Sequence, residues 1–170
     1  MTFLFASCGD QTVSFEDQWK LDNEAQFARI AANSEYTKLE SQSNQGYIMY
    51  KEIESGTGEK PFFTDQVKVL YTGWYKNDWG RNDTYTGEQG NVIINKKIFD
   101  SSTNRNNIPS NFLVLSTVDG FRTALQEMQV GDKWEIWIPW NLAYGANGDR
   151  NAGIRGYTTL VFEIELKEVL

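Results

Sequence analysis

The chain has 170 residues and no histidine. That absence excludes a Ser-His-Asp triad, a Cys-His nucleophile pair and a His-ligated zinc centre. There is one cysteine, which excludes an intrachain disulfide and a thiolate metal cluster. Basic residues are outnumbered, 16 Lys and Arg against 23 Asp and Glu, for a net charge of -7. A chain of that sign repels phosphate backbones, which argues against nucleic-acid partners. No apolar run approaches the ~20 residues of a membrane-spanning helix. What remains is carboxylate chemistry, a metal held on oxygen, or an aromatic pocket that does no covalent chemistry. Aromatic residues are plentiful, with ten Phe, eight Tyr and six Trp. The length suits one domain of roughly 100–200 residues with an appendage.

Residues 1–8 end in Phe3-Leu4-Phe5-Ala6-Ser7-Cys8. Apolar residues, small residues and then the sole cysteine are the closing pattern of a bacterial lipoprotein signal, here a truncated remnant. Cleavage before Cys8 would leave its sulfur as the lipid attachment point. The alternative is a fortuitous apolar start, since the segment is short and has no basic residues before it.

Residues 9–46 are polar and acidic. Phe15, Trp19, Phe27, Ile30, Ala31 and Leu39 recur there at partly helical spacing. The zone reads as one or two short helices forming a spacer or packing arm; a dimerising helix and disorder are the alternatives. Residues 40–46 look like a linker. From Tyr47 to Leu170 the pattern turns to strands. Residues 47–54 alternate; Val67, Val69 and Tyr71 share a face, as do Trp134, Ile136 and Ile138. Leu160, Phe162, Ile164 and Leu166 alternate with Val161, Glu163, Glu165 and Lys167, a strand with one buried face. One short helix is expected, with Phe121, Ala124, Leu125 and Met128 on its apolar face, Asp119 capping its start and Gly131 beyond its end. Together these predict an α+β domain, an antiparallel sheet wrapped around one short helix, with an N-terminal helical arm. Residues 75–98, rich in Gly and Asn/Asp pairs, read as an inserted hairpin or flap that shades a pocket, binds client chains or decorates an edge. Asn82/Asp83 and Asn147/Asp149 offer oxygen ligands but lack EF-hand spacing, so no metal is expected.

The ordered segments Val67-Lys68-Val69-Leu70-Tyr71-Thr72-Gly73-Trp74, Ile98-Phe99-Asp100-Ser101-Ser102, Val118-Asp119-Gly120-Phe121, Glu127-Met128-Gln129-Val130-Gly131-Asp132-Lys133, Ile138-Pro139-Trp140-Asn141-Leu142-Ala143-Tyr144-Gly145 and Leu160-Val161-Phe162-Glu163-Ile164-Glu165-Leu166 resemble the FKBP-type peptidyl-prolyl cis-trans isomerases. The resemblance spans residues 47–170. It implies a pocket for a proline ring, with Tyr71, Asp100, Tyr144 and Phe162 as catalytic residues. Phe99, Val118, Phe121 and Ile154 would bind substrate beside them, and Arg105 would orient Asp100. The implied partners are proline-containing unfolded or exported polypeptides and macrolide-type inhibitors. No cofactor is implied. The leader and polar arm are similar to those of envelope lipoproteins of this family, which implies an anchor on Cys8 as the only membrane contact. Such an enzyme assists folding by straining X–Pro amides, and it needs no histidine or cysteine.

The chain departs from the family pattern at four places. Phe121 stands where a Trp usually forms the pocket floor, Ser110 where an aromatic residue often follows Pro109, and Arg155 where Pro is common. The 75–98 insertion is the fourth. Phe121, Ser110 and Arg155 keep an alternative open, a catalytically weak binding module or chaperone that holds unfolded chains or a partner.

Overall fold

The computed structural model describes residues 13–170. Cys8, the 1–8 segment and the first residues of the arm lie outside the described residues. The first element, α1 (Phe15–Ala31), starts where the Ser14 hydroxyl accepts the Asp17 N–H at 3.1 Å. Glu16 and Asp17 in its first turn suit the positive end of the helix dipole. Trp19, Asn23 and Phe27, four residues apart, form its buried stripe.

Four strands follow the alternation that the sequence predicts: β2 (Tyr47–Glu54), β3 (Gln66–Lys76), β8 (Lys133–Ile138) and β9 (Leu160–Val169). A preceding strand, β1 (Thr37–Glu40), differs from expectation, since Leu39 sits on it opposite Ile48 and not on a helix. Its four residues are too few and too polar to show a period, and pairing with β2 decides the outcome. Residues 41–46 are the hairpin turn between them, closed by Ser41 N–H to Gly46 carbonyl at 2.9 Å.

The stretch after β3 contributes β4 (Thr84–Thr86) and β5 (Val92–Ile94), a two-stranded hairpin of its own. The chain then returns as β6 (Lys96–Ser101) and β7 (Ser110–Leu113). The main sheet runs β1-β2-β8-β9-β3-β6, with β7 also on β3, and every pairing is antiparallel. β3 is its axis. β9 lies along one side, while the other side is shared by β7 at Gln66–Val69 and β6 at Thr72–Lys76.

The concave face holds α2 (Asp119–Leu125), whose Phe121, Ala124 and Leu125 are buried. Gly120 lets the helix touch the sheet: a Cβ there would meet Ile138 Cγ2 at 2.3 Å. Asp119 is not the cap expected from the sequence. Val118 holds the N-cap position, and Asp119 is the first helical residue. The β1–β2 turn reaches over the helix start, so the Asp119 carboxylate accepts from the Ser41 and Ser43 hydroxyls and pairs with Arg122 at 3.3 Å. Met128 lies beyond the helix yet remains fully buried.

The other face of the sheet is not polar throughout. Met49, Trp137 and Val161 are buried there, with Trp74 partly so, under Phe27 of α1. Trp137 and Val161 therefore lie on a second buried face that the alternation alone did not reveal. Asn23 is the hub of this junction and is fully buried. Its Oδ1 accepts the Trp79 indole N–H at 3.1 Å and the Thr159 N–H at 2.9 Å, and its Nδ2 donates to the Trp19 carbonyl at 2.8 Å. Trp79 lies between β3 and β4 and packs on Trp137 at 5.3 Å between ring centres. The stretch leading to the β4–β5 hairpin is thus fastened to this face of the sheet and to α1. Among the described residues, no helix is long and apolar enough to cross a membrane.

Candidate active site

Four strands, α2 and two connecting segments converge on one cavity of about 250 Å³. β3 supplies Tyr71, β6 Phe99 and Asp100, β7 Phe112, and β9 Phe162. Ser116, Thr117 and Val118 form the rim before α2, Phe121 comes from α2 itself, and Tyr144 leans in from the loop after β8. The rings meet edge to face, with Phe121–Phe162 centres 5.1 Å apart, Phe99–Phe162 5.4 Å and Tyr71–Phe112 5.4 Å. Such contacts fix the ring planes as well as exclude water.

Two sequence motifs have direct structural reasons. Gly73 of Tyr-Thr-Gly leaves room for the pocket rings: a Cβ there would lie 2.6 Å from both Phe99 Cζ and Phe162 Cε1. Ser102 of Phe-Asp-Ser-Ser is fully buried, and its hydroxyl accepts the Tyr71 N–H at 2.7 Å. That bond ties the end of β6 to the residue of β3 whose ring faces the cavity.

Asp100, Tyr71 and Arg105 form a closed network. The Tyr71 hydroxyl donates to Asp100 Oδ2 and accepts from Arg105 Nη2 at 3.1 Å. Arg105 Nη1 donates to Asp100 Oδ1 at 2.6 Å, and the Ser101 N–H reaches the same oxygen at 2.9 Å. Partial burial pushes the Asp100 carboxyl up, but the hydrogen bonds from Tyr71 and Arg105, with the Arg105 charge, outweigh it and hold it below the usual carboxylate range. Burial and the bond to Asp100 push the Tyr71 phenol up. Its one hydroxyl hydrogen is engaged. By contrast, among the described residues the Tyr144 hydroxyl has no side-chain partner, and burial followed by the Asp149 and Asp100 charges raises its pKa.

Eight of the nine residues named from the resemblance meet at this cavity, seven as lining and Arg105 through its bonds to Asp100 and Tyr71. Ile154 stands apart. It is buried in the core, bridged to Asp149, and borders a different cleft beside Trp19 and Arg155. Phe112, Ser116 and Thr117 are the lining residues that sequence reasoning missed; the Ser-Asn-Phe-Leu strand is too short to show which way Phe112 faces. Ser110 accepts from Arg105 Nη2 at 2.9 Å, so its hydroxyl braces the guanidinium. Residues 75–98 do not line the cavity. Asp83 is engaged by Lys76 at 2.8 Å, and Asp149 accepts the Asn151 N–H at 2.9 Å, so both carboxylates serve local structure.

The FKBP-type peptidyl-prolyl cis-trans isomerase model matches residues 58–167. The FKBP-type 22 kDa peptidyl-prolyl cis-trans isomerase of Escherichia coli K12 is 38% identical over 128 residues, 75% of this chain and 52% of that protein. The Outer membrane protein MIP of Legionella longbeachae is 36% identical over 72% of this chain and 44% of its own. The chain therefore spans about half the length of these relatives. A solved structure of a peptidyl-prolyl cis-trans isomerase from Pseudomonas syringae pv. tomato superposes with a TM-score of 0.69 at 32% identity, covering 93% of this chain and 98% of that one. The matched segment contains every strand and ring that builds the cavity, and on that ground the chain belongs to the FKBP-type peptidyl-prolyl cis-trans isomerase family.

Proposed function

We propose that the chain catalyses cis-trans isomerisation of X–Pro bonds in unfolded or exported polypeptides. The observation that carries this reading is the aromatic cavity of about 250 Å³ with the Tyr144 hydroxyl, which has no side-chain partner among the described residues, at its edge. An X–Pro amide crosses a barrier of ~18–20 kcal/mol because rotation breaks resonance. The twisted amide is less polar than the planar one, so a water-poor pocket favours it over the ground state. The proline ring sits against Phe99, Phe121 and Phe162, with Val118 at the rim. Tyr144 donates to a substrate carbonyl. Asp100 and Arg105 act by holding Tyr71, whose ring and not its hydroxyl faces the substrate. Macrolide-type inhibitors compete for the same cavity.

The test is a refolding reaction limited by X–Pro isomerisation. The protein accelerates it, and Tyr144→Phe or Phe162→Ala weakens that acceleration. Binding of unfolded chains without any acceleration would overturn the enzyme reading in favour of a holding module, the alternative that Phe121, Ser110 and Arg155 keep open. We place the protein in the bacterial cell envelope, with Cys8 as its lipid anchor. The Legionella relative carries an outer-membrane name. Mass spectrometry of membrane-extracted protein checks this, and an unmodified Cys8 would refute it.

A further inference from the structure

Phe62 and Phe63 are consecutive and exposed, at 77% and 47% of their surface, and Leu115 is exposed at 39%. Adjacent exposed aromatics are costly on a soluble surface unless something covers them. Their placement is fixed. The Phe62 N–H donates to Asp65 Oδ2 at 2.7 Å, which closes the turn that presents both rings. The Asp65 carbonyl accepts the Val114 N–H at 2.9 Å, which ties that turn to the segment leading into the cavity rim. Arg122 completes the link: its guanidinium lies 5.9 Å from the Phe63 ring centre and donates to the Thr117 carbonyl at 3.2 Å. Leu115 is the neighbour of Ser116, which lines the cavity. Through Arg122 the Phe63 ring lies at most about 10 Å from the Thr117 carbonyl on the rim, a reach of about three extended residues.

We infer that Phe62, Phe63 and Leu115 form a shelf continuous with the cavity, which holds an apolar side chain of the same polypeptide whose proline occupies the pocket. The shelf selects unfolded chains with an aromatic or large aliphatic residue about three positions from the proline. This rests on the reading of the cavity as a proline site. The occupant is a client segment because the shelf adjoins the cavity rim. Another exposed apolar pair, Val92 and Ile94, lies on the β4–β5 hairpin, which does not line the cavity.

The experiment compares two peptides, each with one proline: a tetrapeptide, and a longer peptide carrying Phe three residues from the proline on both sides. Exchange between cis and trans forms is followed by NMR for the wild type, Phe62→Ser/Phe63→Ser and Phe62→Leu/Phe63→Leu. The wild type prefers the long peptide. The Ser variant loses about tenfold in kcat/KM on the long peptide, mainly through KM, keeps its rate on the tetrapeptide, and the Leu variant recovers most of the loss. A tenfold loss is what about 1.4 kcal/mol of lost apolar contact produces. An equal fall on both peptides, no fall on either, or a Ser variant that turns a dimer into a monomer overturns the shelf. A wild type inactive on both peptides overturns the cavity reading instead.

Discussion

Asn23→Ala tests whether the N-terminal helix is part of the folded unit. The side chain is fully buried, so its amide cannot be replaced by bulk water. Its removal orphans the Thr159 N–H, itself in a fully buried residue, and frees the Trp79 indole N–H. A buried donor left unpaired costs about 1–3 kcal/mol, and the more accessible Trp79 recovers part of its loss from water. Adding the small void, the expected cost is roughly 3 kcal/mol. Total stability of a domain is of the order of 5–15 kcal/mol, so the effect is large. Urea unfolding of the whole chain reads it as a lower midpoint with an unchanged slope. In a chain of this size the melting temperature falls by roughly 6–12 °C. Asn23→Asp keeps both acceptor contacts but buries a charge against the Trp19 carbonyl, so it destabilises as well. Isomerase activity of the folded fraction stays near wild type, because Asn23 serves the convex face. A cost of Asn23→Ala below about 1 kcal/mol would refute the three-way junction.

Gly73→Ala drives a methyl group into Phe99 and Phe162, so isomerase activity should fall more than tenfold while stability falls by about 1–3 kcal/mol; activity close to wild type would show that the rings are not held as described. Tyr144→Phe removes the free hydroxyl and should raise KM for a proline peptide several-fold while leaving the urea midpoint unchanged. Asp100 has a folded pKa below its unfolded value, so its contribution to stability is present above about pH 4 and is lost as pH falls through the depressed folded value. Asp100→Asn should flatten that acid limb of the stability profile, and a profile identical to wild type below pH 4 would count against the network.

The four long strands were legible because period two survives where one face is fully buried, as in Leu160, Phe162, Ile164 and Leu166. Most of the site was legible through its motifs, since a pocket built from many strands must keep each residue in order along the chain. Phe112 was not, because a four-residue strand carries no period. The docked face of the sheet was also hidden. Met49, Trp137 and Val161 occupy the nominally polar side, and only the partner, α1, explains them. That helix gave a weak signal because its central buried residue, Asn23, is polar.

Lys76 and Lys96 are direct partners across β3 and β6, so the nineteen residues between them leave and re-enter the sheet at one rung. Antiparallel partners of that kind stand about 5 Å apart, a gap that a two-residue turn can span. The hairpin is therefore a cassette. Its length can change without disturbing the register that brings Tyr71 to Asp100, and lengthening it adds only a slowly growing closure entropy. Descent with variation can rewrite this segment freely on the cavity's account. The restraint comes from Trp79, so a shortened form keeps its catalytic face and loosens its amino-terminal helix.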